Sequence, residues 1–291
     1  MRWFVWLVMA LICNGVTRAE SLNEQAMRLM DEGRYFEAET VAKLSYERAL
    51  LDVGPDHPIT AASLSNLASA YHFQGEYKQA EPLTKRSLTI REQASGPNHP
   101  DTANSLNNLA EIYREQGKYS KAEPLYKRAL AIFQATEGPI HPHTAQVLNN
   151  IGNLYRDQGK YNQSLPFYER SLAIREQVLG PDHPGTAQSL NNLADVYRRQ
   201  GKKGQAEPLV KRALAIREQV LGPDHPWTAQ SLNNLALLYV KQGKKGQAEP
   251  LFKRALKIRE DILGPDHPYT IETRKNIEAL AKNHAEKSDA P

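Results

Sequence analysis

The chain has 291 residues, a formal net charge of +4 from 37 basic and 33 acidic side chains, and a single cysteine. Because Lys and Arg alternate with Glu and Asp along most segments, the charge does not favour nucleic-acid binding, for which basic residues would be concentrated on one surface. The lone Cys13 leaves the rest of the chain without a disulfide, a cysteine-based metal site or a thiol nucleophile.

The N-terminal segment is typical of a secretory signal peptide. Arg2 precedes an apolar run over Trp3–Cys13, and a short polar stretch ends at the small residue Ala19. Since this is the three-part pattern of a cleaved signal, we expect residues 1–19 to be removed before Glu20. The run is too short for a membrane helix. We therefore expect a secreted or periplasmic protein with no membrane span after cleavage; the alternative is a membrane anchor formed by an uncleaved segment.

Two series of glycines divide the remaining chain into equal parts. Six glycines begin copies or variants of Gly-Pro-Asp-His-Pro and lie 42 residues apart: Gly54, Gly96, Gly138, Gly180, Gly222 and Gly264. A second series keeps the same step, 21 residues out of phase: Gly33, Gly75, Gly117, Gly159, Gly201 and Gly243. Two series in register predict a repeat with two secondary-structure elements.

Both elements of each repeat have the apolar period of an α-helix. In one repeat the apolar positions of the first element are Leu106, Leu109, Ala110 and Tyr113, and those of the second are Ala122, Leu125, Tyr126, Ala129 and Leu130. These spacings of three and four fit one face of a helix, and no segment alternates with period two. The sequence therefore predicts an all-α chain.

In chain order, the pattern predicts six antiparallel helix pairs over about 21–53, 59–95, 101–137, 143–179, 185–221 and 227–263. A single helix over about 269–284 would cover the last apolar face, since an uncapped repeat leaves its core open. We divide the chain into a signal peptide (1–19), a degenerate first repeat (20–53), five repeats (54–263), a capping helix (264–284) and a disordered tail (285–291).

A proline recurs near the start of each second helix, at Pro82, Pro124, Pro166, Pro208 and Pro250. Proline inside a helix removes a hydrogen bond and clashes with the preceding turn. Either these helices start late or their first turn is distorted, and the sequence leaves both alternatives open.

The segment Leu106–Ile132 resembles a tetratricopeptide repeat. Its first helix carries Leu-Asn-Asn-Leu-Ala followed by Tyr113, and Gly117 and Tyr119 follow at the turn. The family's usual unit has about 34 residues, and the 42-residue step with its Gly-Pro-Asp-His-Pro linker is similar to the kinesin-light-chain subtype. The resemblance covers about residues 21–284 and implies a right-handed α-solenoid of antiparallel helix pairs that binds peptides.

The chain also departs from that family pattern. The usual aromatic residue before the Leu/Ala pair is leucine in five repeats: Leu64, Leu106, Leu148, Leu190 and Leu232. A signal peptide stands where kinesin light chains have the coiled coil that joins the motor. The resemblance therefore implies the fold and the peptide-binding habit, without a role in microtubule transport.

In the family, the first helices line a concave groove, and asparagines recur on that helix here. At 100° per residue they fall on a side turned away from Leu106 and Tyr113. They are Asn66, Asn107, Asn108, Asn149, Asn150, Asn191, Asn192, Asn233 and Asn234. Asparagine is a poor helix former, and its amide both donates and accepts, so we expect these residues to contact the backbone of an extended peptide. The alternative is that one asparagine of each pair bonds the neighbouring repeat.

Arginines share one repeat position at the end of the first helix, at Arg114, Arg156 and Arg198. They could attract an acidic segment or a C-terminal carboxylate of a partner. Equally, they could belong to a solvated face balanced by neighbouring acids such as Glu111, Asp157 and Asp195.

One histidine lies in each linker, at His57, His99, His141, His183, His225 and His267. Because they are about one repeat apart, no two obviously share an ion, and we expect a turn role and no metal site.

The sequence has no phosphate loop, nucleophile elbow or zinc-protease motif, so it predicts neither catalytic residues nor a cofactor. The leading hypothesis is a non-enzymatic scaffold that binds a protein or peptide segment in the groove. The alternatives are a structural or self-assembling envelope component and a non-catalytic accessory subunit of an enzyme complex.

Overall fold

The computed structural model describes the backbone of residues 19–288 and the side chains of residues 19–281. The chain forms two compact units that divide after Gly138, and each unit is considered by itself. Within the described residues every regular element is an α-helix, which confirms the all-α prediction.

The first unit contains three helix pairs. Residues 19–31 are helical and belong to α1, and the others are α2 (Tyr35–Asp52), α3 (Pro58–Phe73), α4 (Tyr77–Ala94), α5 (Pro100–Glu115) and α6 (Tyr119–Thr136). Helices α4 and α6 pack against their own first helices α3 and α5. Helices α2 and α4 also pack against the next first helix along the chain, and α3 and α5 contact each other.

The second unit repeats this arrangement. Its helices are α7 (Pro142–Asp157), α8 (Tyr161–Val178), α9 (Pro184–Arg199), α10 (Lys203–Val220), α11 (Pro226–Lys241), α12 (Lys245–Leu263) and α13 (Pro268–Ser288). The unpaired helix α13 packs on α12 and α11, and it continues past residue 284 to Ser288. None of the helices in the described part of the chain is long and apolar enough to cross a membrane.

Glycine ends the first helix of each pair. Gly117 has φ +73°, the left-handed region that favours glycine. Its N–H donates to the carbonyl of Arg114 at 2.9 Å, and the next N–H, of Lys118, donates to the carbonyl of Tyr113 at 2.8 Å. These bonds satisfy carbonyls that the helix end leaves open, and the chain reverses within three residues.

The core of each pair is built from small and large apolar side chains in alternation. In the first unit Leu106 of α5 and Ala122, Tyr126 and Ala129 of α6 have no exposed surface. Alanine lets the two helices approach closely, while the leucine and tyrosine fill the remaining space. This pattern positions the first helices, which carry the candidate site.

The recurrent proline lies inside the second helix. Helix α4 begins at Tyr77, five residues before Pro82. The carbonyl of Glu76 accepts from the N–H groups of both Gln79 (3.0 Å) and Ala80 (3.1 Å). The first turn therefore combines a 3₁₀-type hydrogen bond, three residues apart, with an α-helical one, four residues apart. Of the two alternatives, the late start is therefore wrong, and the helix tolerates its proline one turn from the N-terminus.

Candidate functional site

The paired asparagines connect first helices of successive repeats. In the second unit the Nδ2 of Asn192, on α9, donates to the Oδ1 of Asn149, on α7, at 3.0 Å. In the first unit Asn66, on α3, donates to the Oδ1 of Asn23, on α1, at 3.1 Å. The second asparagine of one pair thus reaches back to the first asparagine position of the preceding repeat.

The first asparagine of each pair is buried, which corrects the expectation that this side of the helix faces away from the core. Asn107, Asn149, Asn191 and Asn233 are each at most 3 % exposed. The reason is that the neighbouring first helix covers this side of the helix, whereas the expected direction considered one helix pair alone. The structure therefore favours a structural role for Asn149, Asn191 and Asn233, as bonds between repeats. Asn107 donates to Asn108 of its own helix.

The second asparagines differ from one repeat to the next. Asn150 and Asn192 are buried, whereas Asn66, Asn108 and Asn234 are half-buried. Asn108 accepts a 3.4 Å bond from Asn107. Their predicted contact with a ligand stays a prediction.

Asn234 is one of the second asparagines, with Asn108, that make no bond between repeats in the described structure. In the register of Asn192 and Asn149, the Nδ2 of Asn234 would donate to the Oδ1 of Asn191. That oxygen is buried without a hydrogen-bond partner in the described structure, while the Nδ2 of Asn191 donates to the Oγ of Ser231. Among the described residues no group hydrogen-bonds the side chain of Asn234. Its amide is therefore available to a ligand.

Asn234 lines a small depression between repeats of the second unit. The depression is formed by residues of three helices: Ala194, Asp195 and Arg198 of α9, Ala206 and Val210 of α10, and Asn234 and Leu238 of α11. An amide, an ion pair and four buried apolar side chains thus meet at one place, which we call the α9–α11 face.

The three predicted arginines are paired with carboxylates of their own helices. Arg156 bonds Asp157 at 2.8 Å, and the Nε of Arg198 donates to Asp195 at 3.1 Å. Arg114 pairs with Glu115. The side chains of Arg114, Arg156 and Arg198 are 8 %, 18 % and 11 % exposed. The geometry favours the balanced-face alternative, because each cation already has a counter-charge.

Asp195, on the α9–α11 face, is the carboxylate that accepts hydrogen bonds from Arg198 and Arg199. Its Oδ2 accepts from the Nε of Arg199 at 2.7 Å. Burial alone would raise the pKa of the Asp195 carboxyl, but the charges of Arg198, Arg156 and Arg199 outweigh it and hold that pKa below its ordinary value. The carboxylate therefore stays ionised and fixes the positions of the arginines around it.

The linker histidines cap the first helices, in agreement with the expected turn role. At all six positions the histidine is the N-cap residue, and its Nδ1 accepts from the backbone N–H two residues later, as between His183 and Gly185 at 2.9 Å. The bond satisfies one of the amide groups that a helix start leaves open. A neighbouring threonine adds a second bond: the Oγ1 of Thr186 donates to the carbonyl of Gly180 at 2.8 Å.

A series of buried arginines was not predicted from the sequence. Arg175, Arg217 and Arg259 end the second helices of the second unit and are at most 5 % exposed. The Nη1 of Arg217 donates to the backbone carbonyl of Trp227 at 2.7 Å and to the Oγ of Ser231 at 3.0 Å. Burial lowers the pKa of Arg217 to about 9, and the charge of Arg175 adds to that effect. The 42-residue recurrence of Ile-Arg-Glu was the available signal, but surface arginines recur equally often.

Comparisons with known proteins agree with this geometry. The sequence model of the tetratricopeptide repeat family matches residues 17–93, 74–135, 143–219 and 205–261, which is more than half of the chain. The chain belongs to the tetratricopeptide repeat family. No curated protein matches the sequence at a significant level.

Solved structures show the same fold. The kinesin light chain nearly identical TPR-like repeats of Podosopora anserina are 25 % identical, with 70 % of this chain and 96 % of that one covered and a TM-score of 0.53. BtubC (BKLC) from P. vanneervenii is 23 % identical, with 88 % and 94 % covered and a TM-score of 0.57. A Rap protein complexed with competence and sporulation factor is 16 % identical, with 91 % and 75 % covered and a TM-score of 0.65. This tetratricopeptide repeat protein therefore has kinesin-light-chain-like relatives, as its linker predicted.

Proposed function

We propose that this tetratricopeptide repeat protein is a non-enzymatic scaffold that binds an extended segment of a partner protein across its first helices. The family generally mediates protein–protein interaction, and its stacked helices offer long binding surfaces. The Rap protein with the same fold was solved with its factor. On this chain, the α9–α11 face is the surface that supports the proposal best.

The observation that carries the proposal is the unused amide of Asn234. An asparagine inside a helix lowers helix stability, and at Asn192 a bond to Asn149 offsets that cost. At Asn234 no bond within the described part of the chain does so. A side-chain amide can donate to a peptide carbonyl and accept from a peptide N–H at once, so it can hold an extended backbone of any sequence.

The partner is held through its backbone. Leu238 and Val210 line the same depression as Asn234 but are each 1 % exposed, so they support Asn234 from the core and leave its amide as the contact for the partner. Arg156 and Arg198 are already paired with Asp157 and Asp195. Because their charges are neutralised by these carboxylates, they attract an acidic ligand only weakly. The acidic segment stays a prediction that the composition of bound peptides tests.

The experiment is selection of peptides from a random display library on the purified protein. Binding of the selected peptides is then compared between the wild type and Asn234→Ala, with Gln219→Ala on the exposed side of α10 as the matched control. We expect Asn234→Ala to weaken binding by about ten-fold, since loss of one bidentate amide contact costs about 1–2 kcal/mol, and Gln219→Ala to leave it unchanged. Selection that yields no binding peptide would contradict the proposal.

We also propose that the protein acts outside the cytoplasm, because of the pattern Arg2, Trp3–Cys13 and Ala19. Cleavage before Glu20 would remove the carbonyl of Ala19, which accepts from the Oγ of Ser45 at 3.1 Å. Ser45 keeps its contacts with Asn23 and Ser63, both at 2.9 Å, so the first repeat can fold without that residue. Mass spectrometry of the protein from an envelope fraction should find Glu20 at the N-terminus. An intact, membrane-bound chain would instead support the anchor alternative.

A further inference from the structure

The outward side of α2 carries three exposed apolar side chains. Phe36, Leu44 and Leu51 are 55 %, 53 % and 80 % exposed. Their separations of eight and seven residues place them within about 80° of one another around the helix, at 100° per residue. They therefore form one strip, the α2 strip, on the side opposite the buried Ala38 and Ala42.

The strip is a property of the first repeat alone. One, two and more repeats further on, the same three positions hold polar or small residues: Lys78, Arg86 and Gln93; Ser120, Arg128 and Ala135; Asn162, Arg170 and Gln177; Gly204, Arg212 and Gln219; Gly246, Arg254 and Asp261. The polar residues show that the helix pair folds without apolar groups there. Core packing therefore does not explain Phe36, Leu44 and Leu51.

The position of Leu44 faces the place of a preceding second helix. Its equivalent Arg128, on α6, donates to Glu92, on α4, at 2.7 Å and to the carbonyl of Pro97 at 2.8 Å. Arg212 and Arg254 make the same contacts with α8 and α10 of the second unit. Within residues 19–288 no second helix precedes α2. Leucine thus stands at an equivalent position where an arginine would find no carboxylate in the described chain. No described helix covers the strip on this side.

We propose that the α2 strip binds the α2 strip of a second copy of this chain. The spacing is self-complementary: Phe36 and Leu51 lie at nearly equal distances on either side of Leu44. If two copies of α2 pack antiparallel about a two-fold axis next to Leu44, each Phe36 meets the partner's Leu51 and the two Leu44 side chains meet at the axis. Such matching of one surface with itself is the property of an isologous dimer.

Charges beside the strip favour this occupant over others. Lys43 pairs with Glu39 at 2.5 Å and Arg48 with Asp52 at 2.6 Å, so the rim has no excess of either sign to select a charged partner. The exposed Glu47 disfavours an anionic membrane surface. In the antiparallel arrangement Glu47 of one copy lies near Lys43 of the other, which adds opposite charges at the contact.

The contact is small and the dimer should be weak. The strip spans about 22 Å of helix, at 1.5 Å per residue. One pair of helices buries less than the roughly 1,200 Å² of most stable complexes. We therefore expect association in the micromolar range that depends strongly on protein concentration.

The test is sedimentation velocity of the purified protein over a range of concentrations, with and without the first 19 residues. We expect a monomer–dimer equilibrium in the wild type. The double variant Leu44→Arg, Leu51→Gln installs residues that sister repeats use at these positions, so it should fold normally by circular dichroism and stay monomeric. Val220→Gln, which changes an apolar residue 52 % exposed in the second unit, is the matched control and should dimerise like the wild type.

A second measurement locates the contact. In a Cys13→Ser background, Leu44→Cys should crosslink to itself with a short bis-maleimide, whereas Val220→Cys should not. A wild type that stays monomeric with and without residues 1–19 would overturn the proposal, as would equal dimerisation of the double variant. Because the α2 strip is remote in sequence from Asn234, failure here leaves the peptide-binding proposal standing, and the reverse also holds.

Discussion

The side-chain amide of Asn192 donates to the side-chain oxygen of Asn149, 43 residues earlier, at 3.0 Å. Both residues are buried, so this bond is a polar contact, shielded from water, between α9 and α7. Asn192→Ala leaves the acceptor of Asn149 buried without its donor. We expect the free energy of unfolding to fall by about 1–3 kcal/mol, measured by urea denaturation. Asn162→Ala, at an exposed position of α8, should cost far less.

The capping histidines make a prediction about helix starts. His183→Ala removes the acceptor for the N–H of Gly185 and should lower stability by about 1 kcal/mol. His183→Asn should restore most of that loss, because asparagine is also a good N-cap residue. If both variants were as stable as the wild type by thermal denaturation, the cap would have no energetic role.

Alanine substitutions at two glycines three residues apart should change the stability of the protein in opposite directions. Gly201 has φ +77°, so Gly201→Ala forces an unfavourable backbone and should cost about 1–2 kcal/mol. Gly204 lies in α10, and a methyl group there meets nothing within 4 Å. Gly204→Ala should therefore stabilise the protein by up to about 1 kcal/mol. Chemical denaturation of the two variants in parallel measures both effects.

The lowered pKa of Asp195 leads to a prediction about how the stability of the protein depends on pH. Its pKa in the folded state is below the ordinary 3.8, so its contribution is present above that value and is lost as the pH falls through the folded pKa. The melting temperature of the wild type should fall below about pH 4, and that of Asp195→Asn should fall less over the same range. Asp182→Asn, in an exposed linker, is the control. An unchanged acid dependence in Asp195→Asn would show that the carboxylate is not held by its arginines.

The fold could be predicted because its signals repeat. Glycines such as Gly117 and Gly138 mark turns that require positive φ, and the 42-residue step fixes every helix boundary at once. The side of the first helix that binds ligands could not be predicted in the same way. Asn149 and Asn191 are polar in sequence, yet the next repeat buries them. Polarity reports that a residue needs a partner, and only the packing of repeats shows whether that partner is a neighbour or a ligand.

The arginines illustrate the same limit. Arg198 and Arg217 are both cationic residues near helix ends, but one pairs with Asp195 on the α9–α11 face and the other is buried against the carbonyl of Trp227. Their surroundings differ because Arg198 lies on the first helix of a pair and Arg217 lies on the second. A recurring charge therefore predicts that arginines occupy equivalent positions in successive repeats, but it does not predict which groups those arginines contact.

Binding at Asn234 tests the scaffold proposal most directly. The measurement is the dissociation constant of a library-selected peptide, by isothermal titration calorimetry, for the wild type, Asn234→Ala and Gln219→Ala. The proposal predicts about ten-fold weaker binding for Asn234→Ala alone, with circular dichroism spectra of all three proteins alike. Equal affinity of the wild type and Asn234→Ala would contradict it, because the α9–α11 face would then have no part in holding the peptide.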